Sequence, residues 1–238
     1  VGATIVMGRH ERAVLAHHSD PSRSDRNAYR ATLERWGVPT ARQAELVAEV
    51  IERPSDVVDV EPDRLLDDGE SLELDGHRLT VLVTPGHTDG HLCLVDRDRG
   101  LLYTGDHVLP RINPGIGLGM LGDREPLEDH LRSLQALEPF DGYIVLPGHD
   151  EPFGDLRGRR TELMRHHLRR AREVAELSDL LGDAPVWDYA ARMRWTAGWD
   201  GLHGFFLHAA LAQTEHHLGF VRSGRVDLYD AKVGLEAG

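Results

Sequence analysis

Leu79-Thr80-Val81-Leu82-Val83-Thr84-Pro85-Gly86-His87-Thr88-Asp89-Gly90-His91 is the stretch on which the fold turns. An alternating apolar run with strand character stops at Pro-Gly, and an imidazole follows at once. The same grammar recurs in Leu101-Leu102-Tyr103-Thr104-Gly105-Asp106 and in Tyr143-Ile144-Val145-Leu146-Pro147-Gly148-His149. Glycine lets the backbone turn sharply where a strand leaves its sheet, so the next side chain is carried over the sheet's edge. Ligands at several strand ends can converge on one ion, and imidazole with carboxylate is the donor set that suits zinc or another borderline divalent metal. A single Pro-Gly-His would mean little. Three such strand ends in one chain, supplying His87, Asp106 and His149, point to a metal site.

Outward from these motifs, residues 1–7 read as a short strand and 12–18 as the opening of a helix. Residues 27–36 and 41–51 carry apolar side chains at helical spacing on either side of the breaker Gly37-Val38-Pro39. From Asp56 the period changes to two, over 57–60, 71–74 and 79–83, with Asp67-Asp68-Gly69 and Asp75-Gly76 as turns. Residues 91–95 and 101–104 make a further pair of strands. Pro126 then opens a helix with leucines at 127, 131, 134 and 137 on one stripe, and 143–146 returns to strand. Beyond Arg160 the texture is helical, over 161–181, 186–193 and 202–221, and Ser223-Gly224 leads into 225–229 as a candidate hairpin arm.

The chain has 238 residues, 40% hydrophobic and 28% charged, the profile of a soluble globular protein with one large or two modest domains. No run approaches the ~18 consecutive apolar residues of a membrane helix. The opening residues lack a signal-peptide pattern, so the expectation is a cytoplasmic protein. Cys93 stands alone, which excludes an intrachain disulfide or a redox CxxC. The 15 histidines invite metal or proton-transfer chemistry. Residues 1–157 hold 16 Lys and Arg against 29 Asp and Glu, whereas 158–238 hold 11 of each. That asymmetry places a domain boundary near 154–160, giving domains 1–157 and 158–238. The acidic first part also disfavours nucleic acid, which needs a cationic path.

Thr84-Pro85-Gly86-His87-Thr88-Asp89-Gly90-His91, Tyr103-Thr104-Gly105-Asp106 and Leu146-Pro147-Gly148-His149 resemble the second, third and fourth metal motifs of the metallo-β-lactamase superfamily. The resemblance is closest to its hydroxyacylglutathione-hydrolase-like group. It implies the α/β (α+β) class and an αββα sandwich with a binuclear centre at one edge. His87 would bind one ion, His149 the other, Asp106 would bridge both, and His91 would support the loop. The implied cofactor is two divalent ions, zinc first, with iron or manganese as alternatives. The implied chemistry is attack by a metal-bound hydroxide on an acyl or phosphoryl centre. A small thioester or related acyl ester is the implied substrate, with lactones next. Residues 202–229 are similar to the winged-helix appendage of one branch, so the C-terminal domain is expected to be small, mostly helical and winged-helix-like. It would pack beside the site or make a homodimer contact.

The family's first motif, His-x-His-x-Asp-His, does not occur in these 238 residues: His10, His17-His18, His166-His167, His208 and His216-His217 all lack its spacing. The expectation is therefore a metal domain truncated at its N-terminus, with the motif encoded before Val1. Three ligands divided between two ions should bind metal weakly and support little turnover. Two other classes stay open. An endoribonuclease of the same superfamily would need an RNA path that the acidic domain does not offer, and a degenerate, non-catalytic binding protein would follow if the first motif is missing from the reading frame.

Around the three ligands, His107 follows the bridging carboxylate directly, where it could line the substrate mouth or equally support the site from behind or lie at the surface. Arg111 and Asn113, in Val108-Leu109-Pro110-Arg111-Ile112-Asn113-Pro114-Gly115, are expected on a loop overhanging the site, where all three could reach substrate. Cys93 fits an apolar core position. His166 and His167, among Arg165, Arg169, Arg170 and Arg172, read as a solvated helix face.

Overall fold

The computed structural model describes residues 2–19, 26–52, 60–118 and 124–233. In chain order they form β1 (Val6–Gly8), α1 (Arg9–Ser19), α2 (Arg26–Arg35), α3 (Thr40–Val47), β2 (Arg64–Leu66), β3 (Ser71–Leu74), β4 (His77–Val83), β5 (Leu92–Asp96), β6 (Leu101–Gly105), α4 (Pro126–Ala136), β7 (Ile144–Pro147), α5 (Leu156–Leu181), α6 (Val186–Ala190), α7 (Gly204–Arg222) and α8 (Val226–Val233). The residues expected as a strand at 57–59 lie outside the described residues, and Val60 belongs to no element.

The chain divides into two compact units, Val1–His17 with Asp59–His167, and His18–Val58 with Leu168–Gly238. The boundary expected near 154–160 is therefore corrected: the division falls inside α5, and α2 and α3 join the C-terminal helices. Packing is the reason, since Leu33, Trp36, Leu46 and Val47 share one core with Tyr189, Leu207, Leu211 and Leu218.

In the first unit the sheet order is β3-β4-β5-β6-β7, antiparallel throughout except for the parallel β6–β7 pair. Asp75 and Gly76 both take positive φ in the two-residue turn between β3 and β4, the geometry whose twist matches a hairpin. Register puts Val95, Leu102 and Val145 side by side on one face, all without exposed surface. Their neighbours Leu94, Tyr103 and Leu146 share the opposite face and are partly exposed. Leu127, Leu131 and Leu134, the stripe on α4, are wholly buried, as is Leu137 just beyond the helix. β1 and β2 form a separate two-stranded parallel pair. Mixed helix and sheet is thus the class expected.

In the second unit every described element is helical. Trp187 N–H donates to the Trp36 carbonyl at 2.8 Å, and the Tyr189 hydroxyl donates to the Gly182 carbonyl at 2.6 Å. The hairpin arm expected at 225–229 is instead the start of α8. A winged helix needs that hairpin, so the described residues do not carry this part of the resemblance. No helix among the described residues is long and apolar enough to cross a membrane.

Candidate metal centre

The end of β4 places His87, the first candidate ligand. Thr84 N–H donates to the His91 carbonyl at 2.8 Å and Gly86 N–H to the Thr88 carbonyl at 3.1 Å, closing a tight loop. Gly86 has φ +135°, and a Cβ there would lie 2.5 Å from the Cα of His130 on α4. Only glycine suits that approach. His87 Nδ1 donates to the Gly115 carbonyl at 2.7 Å. A carbonyl can only accept, so the proton sits on Nδ1 and Nε2 keeps its lone pair. That Nε2 lies 3.8 Å from Asp106 Oδ2.

The parallel β6–β7 pair builds the other two. Gly105 lies opposite Pro147, and Gly148 N–H donates to the Gly105 carbonyl at 2.8 Å, so Asp106 and His149 leave the sheet side by side. His149 Nε2 is 3.3 Å from Asp106 Oδ1. One carboxylate thus turns one oxygen to each imidazole. A Cβ on Gly148 would sit 2.5 Å from Asp106 Oδ1, so the missing side chain makes room for the carboxylate. Exposure rises from 15% for the His87 side chain to 35% for Asp106 and 65% for His149. The cleft therefore opens on the His149 side. Among the described residues no three His, Cys, Asp or Glu side chains are drawn close enough to hold one ion; the arrangement is two pairs that share Asp106.

A cleft of about 500 Å³ includes all three residues, with Gly8, Glu11, Thr88 and Leu92 on its walls. Glu11 was not among the residues the sequence singled out. Its Oε2 accepts from the Thr88 hydroxyl at 2.7 Å, and Gly90 packs so closely on the backbone of α1 that a side chain there would overlap Glu11. No local pattern announces such a contact between residues 77 positions apart.

Behind the cleft runs a row of imidazoles. Ring centroids are 6.1 Å apart for His87–His91, 5.5 Å for His91–His107, 4.6 Å for His107–His130 and 5.2 Å for His130–His167. His91 Nδ1 pairs with the Thr84 hydroxyl at 2.8 Å. Burial, helped by the neighbouring His87, pushes its pKa down to about 4. Burial also holds His107 and His130 well below the usual imidazole range, with adjacent imidazoles adding to the effect. His107 has no exposed surface, so of the roles open to it the supporting one fits its burial: its ring lies between those of His91 and His130, edge-on to the latter. Arg111 and Asn113 are exposed and lie outside the cleft lining. His167 is buried, unlike the solvated face expected of it, and Cys93 is a core residue.

The superfamily profile described as metallo-beta-lactamase superfamily matches residues 7–149, more than half of the chain. The chain belongs to the metallo-beta-lactamase superfamily. Within it, the Beta-lactamase-like protein 2 homolog of Caenorhabditis elegans is 30% identical over 118 residues, covering 50% of this chain and 37% of that protein. The human Acyl-coenzyme A thioesterase MBLAC2 is 36% identical over 102 residues, covering 40% of this chain and 34% of that protein. The matched segments thus span about a third of these relatives. The crystal structure of metallo-beta-lactamase family protein TTHA1429 from Thermus thermophilus superposes with a TM-score of 0.70 at 28% identity, covering 94% of this chain and 67% of that one.

Proposed function

We propose that this superfamily member is a metal-dependent hydrolase of thioesters or related acyl esters. The observation that carries the reading is Asp106 between two imidazoles, Oδ2 toward His87 and Oδ1 toward His149. The donor set fits a pair of divalent ions, zinc first, with iron or manganese as alternatives: His87 has its Nδ1 proton committed and Nε2 open, and the bare Gly148 leaves space for the shared carboxylate. His87 and His149 would hold one ion each through Nε2, and Asp106 would span both. When bound, such ions supply Lewis acidity that acidifies water and polarises an acyl carbonyl.

The chain's own residues prepare the rest of the site. His91, with its pKa down to about 4, stays neutral near pH 7 and adds no charge to repel a cation. Thr88 ties the ligand loop to Glu11 on the opposite wall. Leu92 on the wall, with Leu118 half-exposed and bridged to Thr88, offers apolar surface to an acyl chain. A thioester is favoured over a lactone because a relative bears the name acyl-coenzyme A thioesterase.

Equilibrium zinc binding and zinc-dependent thiol release from an acyl thioester test the proposal, with a lactone and an RNA assayed in parallel. Weak zinc binding and slow thiol release that stops on chelation and returns with zinc are expected of these 238 residues, whose three donors fall short of a full ligand set. Turnover of lactone or RNA without thioester overturns the substrate, and zinc content unchanged by Asp106→Ala overturns the site.

A further inference from the structure

The loop that follows β6 begins at one of these ligands and returns to another. It leaves the sheet at Asp106, and by residues 115–118 it lies along the His87 turn. There the Gly115 carbonyl accepts from His87 Nδ1, Gly117 N–H donates to the Gly86 carbonyl at 2.8 Å, and Leu118 N–H donates to the His87 carbonyl at 2.8 Å. The place of a single carbonyl thus decides which imidazole nitrogen is left for a cation.

What holds that stretch of loop comes from the first turn of α5. Arg159 is only 7% exposed. Its Nε donates to the Leu109 carbonyl at 2.6 Å, and its Nη2 to the Ile112 carbonyl at 2.6 Å and the Asn113 Oδ1 at 3.3 Å. Nη1 donates to Glu162 at 2.7 Å. A loop with no strand partner must satisfy its inward carbonyls by other means, and one rigid guanidinium fork takes two of them just ahead of Pro114-Gly115.

We propose that Arg159 is a positioning residue for the metal-binding imidazole. By clamping residues 109–113 it keeps the Gly115 carbonyl on His87 Nδ1 and presents Nε2 to the ion. The inference rests on the metal-dependent reading above, but its first readout needs neither metal nor substrate.

Long-range ¹H–¹⁵N NMR of the metal-free protein reports the His87 tautomer, with the ring assigned by the signal lost in His87→Gln. The wild type should show the Nδ1–H form. Arg159→Met should mix or invert it and raise the zinc Kd about 10–100-fold, the usual cost of losing a group that orients a ligand. Arg159→Lys should recover part of both, since an ammonium lacks the fork that reaches two carbonyls. Glu162→Gln, which touches only Nη1 and none of the loop carbonyls, should change neither. Leu163→Ala, a buried change on the same helix, should lower stability without moving the tautomer. An unmoved tautomer and zinc Kd in Arg159→Met overturns the proposal, as does the same shift in Leu163→Ala. If Arg159→Met does not fold, Arg159→Lys decides, and wild-type values in it overturn the proposal. A tautomer shift in a protein that releases no thiol removes the functional reading alone, whereas thiol release with an unmoved tautomer removes this one alone.

Discussion

Asp106 and its neighbour Gly148 are where one atom matters most. A methyl added at 148 would stand 2.5 Å from Asp106 Oδ1, inside van der Waals contact, so the carboxylate must swing away from the imidazoles. Gly148→Ala should therefore weaken zinc binding about tenfold or more while the protein still unfolds cooperatively, as a chelator-competition titration beside a thermal melt would show. Asp106→Ala should lose more affinity than His91→Ala, because the carboxylate faces both imidazoles and His91 acts through its bond to Thr84. The buried imidazoles behind the site make a different prediction. His107 and His130 have no exposed surface and, among the described residues, no hydrogen-bond partner on either ring nitrogen, and burial holds both neutral in the folded protein. Unfolded, each takes up a proton near pH 6.5. Below that pH the unfolded state binds more protons than the folded one, so stability falls as pH falls, by about 1.4 kcal/mol per pH unit for each such imidazole. Urea midpoints between pH 6.5 and 5 should show a shallower slope for His130→Phe than for the wild type; equal slopes would show that His130 takes its proton without unfolding.

Among the elements, α4 is the one that presses on the loop before His87. Its Ser133 hydroxyl donates to the Pro85 carbonyl at 2.8 Å, and the Cα of His130 fills the space where Gly86 has no side chain. Gly86→Ala combines an unfavourable positive φ with an overlap against helix backbone and should cost about 2–4 kcal/mol in chemical denaturation. Ser133→Ala should cost only about 1 kcal/mol, the loss of one hydrogen bond. Equal costs would mean that the approach at Gly86 is relaxed by helix movement. The contrast also shows what was legible beforehand. The three strand ends could be read because their signal is local: an apolar run, a Pro or Gly, then a His or Asp. The leucine stripe of α4 was legible for the same reason, but not where that stripe docks. Glu11 reaches the cleft from 77 residues away, and α2 and α3 find their core in helices more than a hundred residues later, contacts that no local period encodes. The misread arm at 225–229 was too short for period to separate strand from helix, and in the structure it continues as α8.

At the scale of the whole molecule, charge is the property that would discriminate among substrates at the cleft. Residues 1–17 and 59–167, the unit that carries the cleft, hold 23 acidic against 13 basic side chains, so its field is negative. Such a field gathers divalent cations and repels anions, and salt screens it over a Debye length of about 8 Å near physiological ionic strength. Among the described residues lining the cleft none is Lys or Arg, so nothing on its walls offsets the field for an anionic substrate. A thioester of coenzyme A carries several phosphate charges, whereas a thioester of N-acetylcysteamine presents the same reacting bond with none. If thioesters are the substrates, the two should therefore part with ionic strength. Raising salt from about 0.02 to about 0.2 M should lower the KM of the coenzyme A thioester several-fold by screening the repulsion, and should leave the KM of the neutral thioester unchanged. The acyl group and the metal content are held constant, so only the leaving group's charge differs between the two series. A KM for the coenzyme A thioester that instead rises with salt would reveal a cationic cradle for the phosphates and would place the natural substrate among coenzyme A esters.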